Sequence, residues 1–232
     1  GTSTLTGDAT FTGSLKNGST HFNVDSSGDV IIDSDTGNWR LKDAGTTIVE
    51  FFHASDEAYI NSPVDGQNVR FNVNNGGSAI CPLKIHAEGY VVKETQPAFL
   101  AQNASEQTNI GVGAVTVVFG TEVFDQNADF ASNTFTAPVT GKYQLSLVMN
   151  LNELDQDVVA YDIGIITSNR GYYQTFDPDI FDQDAPYFCI SMSVLADMDA
   201  SDTAYVTINR NSTGAGQTDI STNTQFSGFL AC

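Results

Sequence analysis

The sequence predicts an all-β protein, and three observations lead to this prediction. Apolar and polar residues alternate with period two from Lys142 to Leu151, as in a strand with one buried face. Turn dipeptides such as Asn17-Gly18 and Asp65-Gly66 recur about every 8–12 residues in the first part of the chain. No stretch shows the 3.6-residue apolar period of a helix. We therefore expect a fibrous, intertwined β shaft over residues 1–95, followed by an antiparallel β-sandwich over residues 96–232.

A change of composition after Thr95 supports this division. Residues 1–95 contain 6 Lys/Arg, 12 Asp/Glu and all three histidines, whereas residues 96–232 contain 3 Lys/Arg, 16 Asp/Glu and ten of the fifteen Phe. The chain begins at Gly1 rather than at methionine, so we expect a fragment or a processed product. The three cysteines share no metal-binding spacing and cannot all pair within one chain, so we expect free thiols: Cys81, Cys189 and Cys232.

The charge balance restricts the classes of partner. Of the 232 residues, 28 are Asp or Glu and 9 are Lys or Arg, which gives a net charge of −19. A nucleic-acid-binding protein needs a basic surface to neutralise phosphates, so nucleic acid is excluded as a partner. No apolar run approaches the roughly 18 residues of a membrane span, so we expect no membrane insertion.

The first region is too poor in large apolar residues for its short strands to form a stable domain alone. Three identical chains wound around one axis would each bury one apolar strip, and we therefore predict a trimeric shaft. An ordinary small β domain is the alternative. The predicted strands of this region are 9–15, 21–24, 30–32, 39–42, 46–52, 69–73 and 90–92.

The second region contains longer strands with a clear period of two. In the strand over 142–151, Tyr143, Leu145 and Leu147 alternate with polar residues, which predicts one core-facing side. Gly, Asn and Asp turns separate the strands, as in an antiparallel sandwich. The predicted strands are 116–124, 142–151, 158–166, 188–195 and 203–208.

The motifs of the second region resemble those of the C1q globular head. The segment Gln96-Pro-Ala-Phe-Leu-Ala101 resembles the family's first strand, and Phe226-Ser-Gly-Phe-Leu230 resembles its last strand. The resemblance covers residues 96–232 and implies the jelly-roll sandwich that this family shares with tumour necrosis factor. The central signature consists of Phe119, Asp125, Phe130 and the segment Phe135-Thr-Ala-Pro-Val-Thr-Gly141-Lys-Tyr143.

The same resemblance implies a homotrimer packed through exposed aromatic strand faces. Tyr205 lies on the strand face opposite Ala204 and Val206, so it is the candidate trimer contact. Gly141 is expected to supply a turn conformation that other residues disfavour. Five phenylalanines are expected in the core: Phe119, Phe130, Phe135, Phe226 and Phe229.

Three segments of the first region resemble shaft repeats of bacteriophage tail fibres and tailspikes: Gly7–Gly13, Phe22–Ile32 and Asn38–Lys42. A thin trimeric shaft that ends in a C1q-like head is an arrangement of fibre tips. The resemblance therefore implies the receptor-binding tip of a tail fibre, located in the virion and outside the cell, that attaches to a host cell-surface glycan or protein. A non-viral trimeric C1q-like adhesin or lectin, on a bacterial surface or secreted, is the alternative.

Acidic residues of the second region cluster in loops. Because antiparallel strands reverse direction, the loops at 152–157, 177–185 and 211–224 are expected at one end of the sandwich, and the loop at 196–202 at the other. Carboxylates brought together repel one another unless they are solvated or neutralised by a cation, and Ca²⁺ suits flexible oxygen ligands. A solvated acidic rim is the alternative. The candidate calcium ligands are Glu153, Asp155, Asp157, Asp177, Asp179, Asp182 and Asp184.

Aromatic residues accompany the acids in the same part of the sequence: Tyr172, Tyr173, Phe176 and Phe181. Aromatic rings beside carboxylates are typical of sugar recognition, through ring stacking and hydrogen bonds. We therefore expect these four residues to bind the receptor, with a glycan favoured. Aromatic residues that merely cover the end of the sandwich are the alternative.

The sequence argues against an enzyme. The second region contains no histidine, so it holds neither a Ser–His–Asp nor a Cys–His arrangement. Carboxylate pairs, which a glycosidase would use, are frequent by chance in so acidic a chain. The three histidines, His21, His53 and His86, lie about thirty residues apart and show no metal-binding spacing.

Overall fold

The structure is a computed structural model that describes residues 26–32, 34–35, 37–212 and 216–232. The chain folds as two units, Gly1–Val64 and Asp65–Cys232. The change of composition after Thr95 lies inside the second unit. The predicted strands 9–15 and 21–24 lie outside the described residues.

The first unit contains one antiparallel sheet, β1 (Asn38–Asp43), β2 (Thr46–Ala54) and β3 (Glu57–Asn61), with β2 in the centre. The turn between β1 and β2 uses Ala44 and Gly45 at positive φ, which suits a tight hairpin. The predictions of strands over 39–42 and 46–52 are confirmed. The predicted strand over 30–32 is wrong, because these residues form no strand and their side chains are exposed.

Aromatic residues occur on both faces of this small sheet. On one face the rings of Trp39 and Phe51 lie 5.2 Å apart, and on the other face those of Phe52 and Tyr59 stack at 4.6 Å. Arg40 Nε donates to Glu50 Oε1 at 2.7 Å and lowers the pKa of that carboxyl. The described residues of this unit form no second sheet or helix that could cover these faces, and a three-stranded sheet needs such a layer to be stable alone.

The second unit begins with an antiparallel sheet formed by β4 (Val69–Asn75), β5 (Ser78–Ile85) and β6 (Val91–Val92). Cys81 on β5 is buried, and Arg70 Nε donates to its sulfur at 3.3 Å. All three cysteines are free thiols.

The rest of the second unit is a two-layer β-sandwich with one short 3₁₀ turn, Pro178–Ile180. The described part of the chain contains no helix with the length and apolar character needed to cross a bilayer. The strands are β7 (Ala98–Gln102), β8 (Gly113–Thr116), β9 (Thr121–Asp125), β10 (Phe130–Ala131), β11 (Thr134–Thr136), β12 (Gly141–Leu154), β13 (Ala160–Thr167), β14 (Gly171–Phe176), β15 (Ala185–Met198), β16 (Thr203–Asn211), β17 (Asp219–Ile220) and β18 (Gln225–Leu230).

The strands form two sheets of six. Sheet I has the order β15-β12-β18-β7-β9, with β17 beside β12, and sheet II has the order β10-β11-β16-β13-β14, with β8 beside β16. All of these pairs are antiparallel. This is the predicted jelly-roll sandwich.

The core lies between the inward faces of the two sheets. The alternation along β12 is confirmed, because Tyr143, Leu145 and Leu147 are almost fully buried. The motif phenylalanines form an aromatic cluster, in which the ring of Phe99 lies 4.8 Å from Phe135 and 5.1 Å from Phe226. The spacing of the central signature therefore reflects core packing.

Asp125, the acidic residue of that signature, has a structural role. Its carboxylate accepts the backbone N–H of Asp129 at 3.1 Å and that of Phe130 at 2.8 Å, which closes the turn between β9 and β10. Phe130 can then enter the core, where it stacks on Phe99 at 4.9 Å. A side-chain acceptor at position 125 thus satisfies backbone donors that the turn leaves unpaired.

Asp129→Asn is expected to raise Tm at pH 7 by about 1–3 °C. Burial and the neighbouring Asp125 raise the pKa of Asp129, so its ionised form is less favourable in the folded state than in the unfolded chain. This penalty is present above the folded-state pKa and disappears below the ordinary Asp pKa of about 3.9. Calorimetry at pH 7 and pH 3.5 should show that the gain in Tm shrinks at the lower pH. A lower Tm than wild type at pH 7 would contradict this reasoning.

Three sequence expectations for the sandwich were wrong. Residues 116–124 do not form one strand, because the chain leaves sheet II after Thr116 and joins sheet I at Thr121. Phe229 is 49% exposed, because it lies three residues after the inward-facing Phe226 on a period-two strand. Gly141 has no positive φ; instead, a Cβ there would lie 2.8 Å from the carbonyl oxygen of Cys232.

Candidate functional site

The acidic loops meet at one end of the sandwich, as the strand directions predict. We call this end, formed by residues 155–159, 177–184 and 216–218, the loop end. Asp184 links its loops, because its carboxylate accepts the backbone N–H of Gln156 at 3.0 Å and the side-chain amide of Gln217 at 2.7 Å. The loop over 196–202 lies at the opposite end, where Ala137 N donates to Asp202 O at 2.8 Å.

The acids of the loop end do not form a metal cage. Within the described residues, no group of three or more His, Cys, Asp or Glu side chains is arranged to hold a metal ion. Several of the predicted ligands already have protein partners: Asp177 accepts the N–H of Asp179 at 2.9 Å, and Asp155 lies 3.7 Å from Arg210. Hydrogen bonds from Gln156 and Gln217 lower the pKa of Asp184. In this arrangement the described carboxylates form no preassembled Ca²⁺ site.

Calcium binding nevertheless stays a prediction for Glu153, Asp155, Asp157, Asp177, Asp179, Asp182 and Asp184. Isothermal calorimetry with millimolar CaCl₂ tests it directly. A saturating heat of binding would support calcium binding and would mean that these loops rearrange around the ion. A titration without heat of binding would support a solvated acidic rim instead.

Three of the four predicted receptor-binding aromatics pack against the core. The ring of Phe176 lies 5.2 Å from Tyr161 and 4.8 Å from Phe188, and Phe181 lies 5.5 Å from Phe188. Tyr172 also packs against the core cluster. Tyr173 differs, because it is 63% exposed.

Tyr173 and Tyr205 line one groove on the outer face of sheet II. The groove has a volume of about 510 Å³, and we call it the Tyr173–Tyr205 groove. The sequence analysis assigned these two residues to different functions, receptor binding and trimer contact. The groove is lined by Ala114, Asp162, Ile166, Tyr173, Thr175, Tyr205, Thr207 and Asn209.

The strand register explains why these side chains meet. Asp162 is paired with Thr175 on one side and with Asn209 on the other. The next outward position on β13 is Gly164, which lies between Tyr173 and Thr207. Ile166 follows, between Gly171 and Tyr205. The groove therefore consists of three cross-strand rows, and its central row has a glycine in the middle.

A hydrogen-bond network fixes the carboxylate of Asp162. Thr175 Oγ1 donates to Asp162 Oδ1 at 2.6 Å, and the side-chain amides of Asn209 and Asn211 donate to Oδ2 at 3.0 and 2.9 Å. The hydrogen bond from Thr175 is the largest cause of a lowered pKa at Asp162. The groove thus presents a fixed negative charge near neutral pH.

Sequence analysis missed Asp162, Thr175, Thr207 and Asn209. Their signal was the same period of two, because the outward residues of β13, β14 and β16 alternate with core residues. Their proximity could not be read from the sequence, because it depends on which strands pair and in which register.

The outer face of sheet I is more apolar than that of sheet II. Leu195 and Phe229 flank Gln144 in one cross-strand row and are 57% and 49% exposed. Phe124 and Val148 on the same face are 50% and 40% exposed. Exposed apolar residues grouped on one face indicate an interaction surface.

A family model matches more than half of the chain, and some solved structures are similar to it. A family model described as the C1q domain matches residues 98–231. The globular domain of zebrafish complement 1qA is similar, with 19% identity, a TM-score of 0.44, and coverage of 59% of this chain and 98% of that one. Murine APRIL at pH 8.0 is similar with 10% identity, a TM-score of 0.43, and coverage of 59% and 99%. No curated protein sequence matches.

Proposed function

The chain belongs to the C1q-domain family, and from that premise we propose that it is a homotrimeric attachment protein, the receptor-binding tip of a bacteriophage tail fibre. C1q and TNF-like domains typically form trimers, and they are generally structural or ligand-binding rather than enzymatic. C1q-like domains are also often secreted or extracellular. The proposed protein attaches a virion to a host cell-surface glycan or protein.

The observation that carries the trimer is the apolar outer face of sheet I. Leu195, Phe229 and Phe124 would each remove apolar area from water if identical copies packed over this face. The sheet II face instead carries the ionised Asp162 and its amide and hydroxyl partners. Burying that network against a second copy would cost free energy unless each polar group were paired.

The proposal of a shaft depends on the first unit. The sheet β1-β2-β3 carries aromatic pairs on both faces, and Ile60 is 63% exposed. Within the described residues no other sheet or helix of this unit covers it, and neighbouring copies of the same chain would supply covering layers. This argument supports an intertwined fibre leading to the C1q head.

Light scattering of the full chain after size-exclusion chromatography tests the trimer. Three chains of 24.8 kDa should give a particle of about 74 kDa. A folded particle of one chain mass would overturn the proposal, because neither apolar surface would then be covered by a copy.

A non-viral trimeric adhesin or lectin is the second candidate. The family match, which covers only residues 98–231, favours it, because a C1q head does not require a virion. Genes for virion structural proteins beside this gene would support the fibre tip. Genes for surface anchoring or secretion in that position would support the adhesin.

A further inference from the structure

We propose that the Tyr173–Tyr205 groove binds one ring of a neutral or amino sugar at the end of a cell-surface glycan. This inference rests on the proposed attachment function and adds to it a site and a ligand class. It concerns the outer face of sheet II within one chain, so the site is complete in each copy.

The floor of the groove is an aromatic ring supported by two glycines. A Cβ at Gly171 would lie 2.5–2.7 Å from ring atoms of Tyr173, and a Cβ at Gly164 would lie 3.0 Å from the same ring. The Tyr173 ring therefore lies close against the sheet in space that only glycine leaves free. Because Tyr173 is 63% exposed, the ring can stack on a flat apolar sugar face.

Polar groups surround this ring on the side of Asp162. An ionised carboxylate offers about four acceptor positions, and protein donors occupy three at Asp162: Thr175, Asn209 and Asn211. The remaining capacity suits a sugar hydroxyl or ammonium donor. Thr207 and Tyr205 add hydroxyl groups along the adjacent wall.

Size and charge define the ligand class. The volume of about 510 Å³ lies within the range of about 300–1,000 Å³ that is usual for small-molecule sites. The fixed carboxylate of Asp162 and the net charge of −19 repel anions. They therefore disfavour the binding of sialylated, sulfated and phosphorylated sugars. A second copy of the chain is less suited to this groove, because the larger apolar surface, which identical copies would bury, lies on sheet I.

The experiment is a glycan array probed with the fluorescently labelled full chain, followed by calorimetry with the neutral or amino glycans that bind. Tyr173→Ala should weaken binding at least tenfold, because it removes the stacking surface. Gly171→Ala keeps every polar group but displaces the ring, so it should also weaken binding. Tyr90→Ala is the control, because Tyr90 is 55% exposed and lies outside the sandwich.

Each outcome of this experiment decides the inference. Binding of neutral or amino glycans that both groove variants weaken and the control keeps would support it. Binding that Tyr173→Ala leaves intact, binding of anionic glycans alone, or no binding to the array would overturn it. Light scattering on the same samples separates the two proposals, because a trimer without glycan binding refutes only the groove, whereas a monomer that binds glycans refutes only the trimeric fibre.

Discussion

Replacing Leu195 and Phe229 together by glutamate is expected to lower the particle mass from about 74 kDa to that of one 24.8 kDa chain. Both residues flank Gln144 on the outer face of sheet I and are about half exposed within one chain. Carboxylates at these positions would be well solvated in a monomer. Between copies they would have to lose water without a partner, which costs several kcal/mol for each charge.

The matched control for this change is Tyr205→Glu. It introduces one carboxylate on sheet II, at the residue that the sequence nominates as the trimer contact. Circular dichroism should show unchanged strand content in all variants, and light scattering should show a trimer only for wild type and Tyr205→Glu. A trimer that survives Leu195→Glu/Phe229→Glu and dissociates with Tyr205→Glu would place the interface on sheet II, as the sequence predicts.

The strands of the head could be predicted because each has one buried face. Burial imposes a period of two, and β12 keeps this period from Tyr143 to Leu151, both of which are buried. The resemblance of both ends and the centre to the C1q head is confirmed by the family match over 98–231. Such patterns survive in the sequence because packing acts on every second residue.

The same pattern fails where the chain changes sheets. Val117 and Phe119 are both buried, so the alternation continues while the backbone crosses from β8 to β9 without forming a strand. Gly141 was misread for a related reason. Its constraint comes from Leu230 and Cys232, about ninety residues later, and no local sequence pattern can predict so distant a contact.

The candidate site was predictable only in part. The prediction that the acidic loops lie at one end was correct, because the directions of antiparallel strands follow from their order along the chain. The proximity of Tyr173 and Tyr205 was not predicted, because it requires β14 and β16 to flank β13 in a particular register. Sequence patterns show which side of a strand a residue occupies, but pairing decides its neighbours.

Asp155→Ala is expected to lower the free energy of unfolding by about 3 kcal/mol, the largest stability loss among the loop-end acids. Arg210 is 1% exposed, and its guanidinium lies 3.7 Å from the Asp155 carboxylate, which is itself mostly buried. Removing the carboxylate takes a counter-charge away from a cation that water cannot reach. The loss should be measurable by urea denaturation, with an unchanged m value if the unfolded state is unaffected.

Arg210→Met tests the other member of this ion pair. It removes the buried cation and leaves Asp155 at a position with some access to water, so its cost should be smaller than that of Asp155→Ala. Asp157 lies in the same loop but is exposed, so Asp157→Ala should cost less than about 0.5 kcal/mol. If Asp155→Ala costs no more than Asp157→Ala, the carboxylate does not stabilise the buried guanidinium. Because solvent ions screen a buried pair weakly, the difference between Asp155→Ala and Asp157→Ala should persist in high salt, which distinguishes this pair from the exposed acids around it.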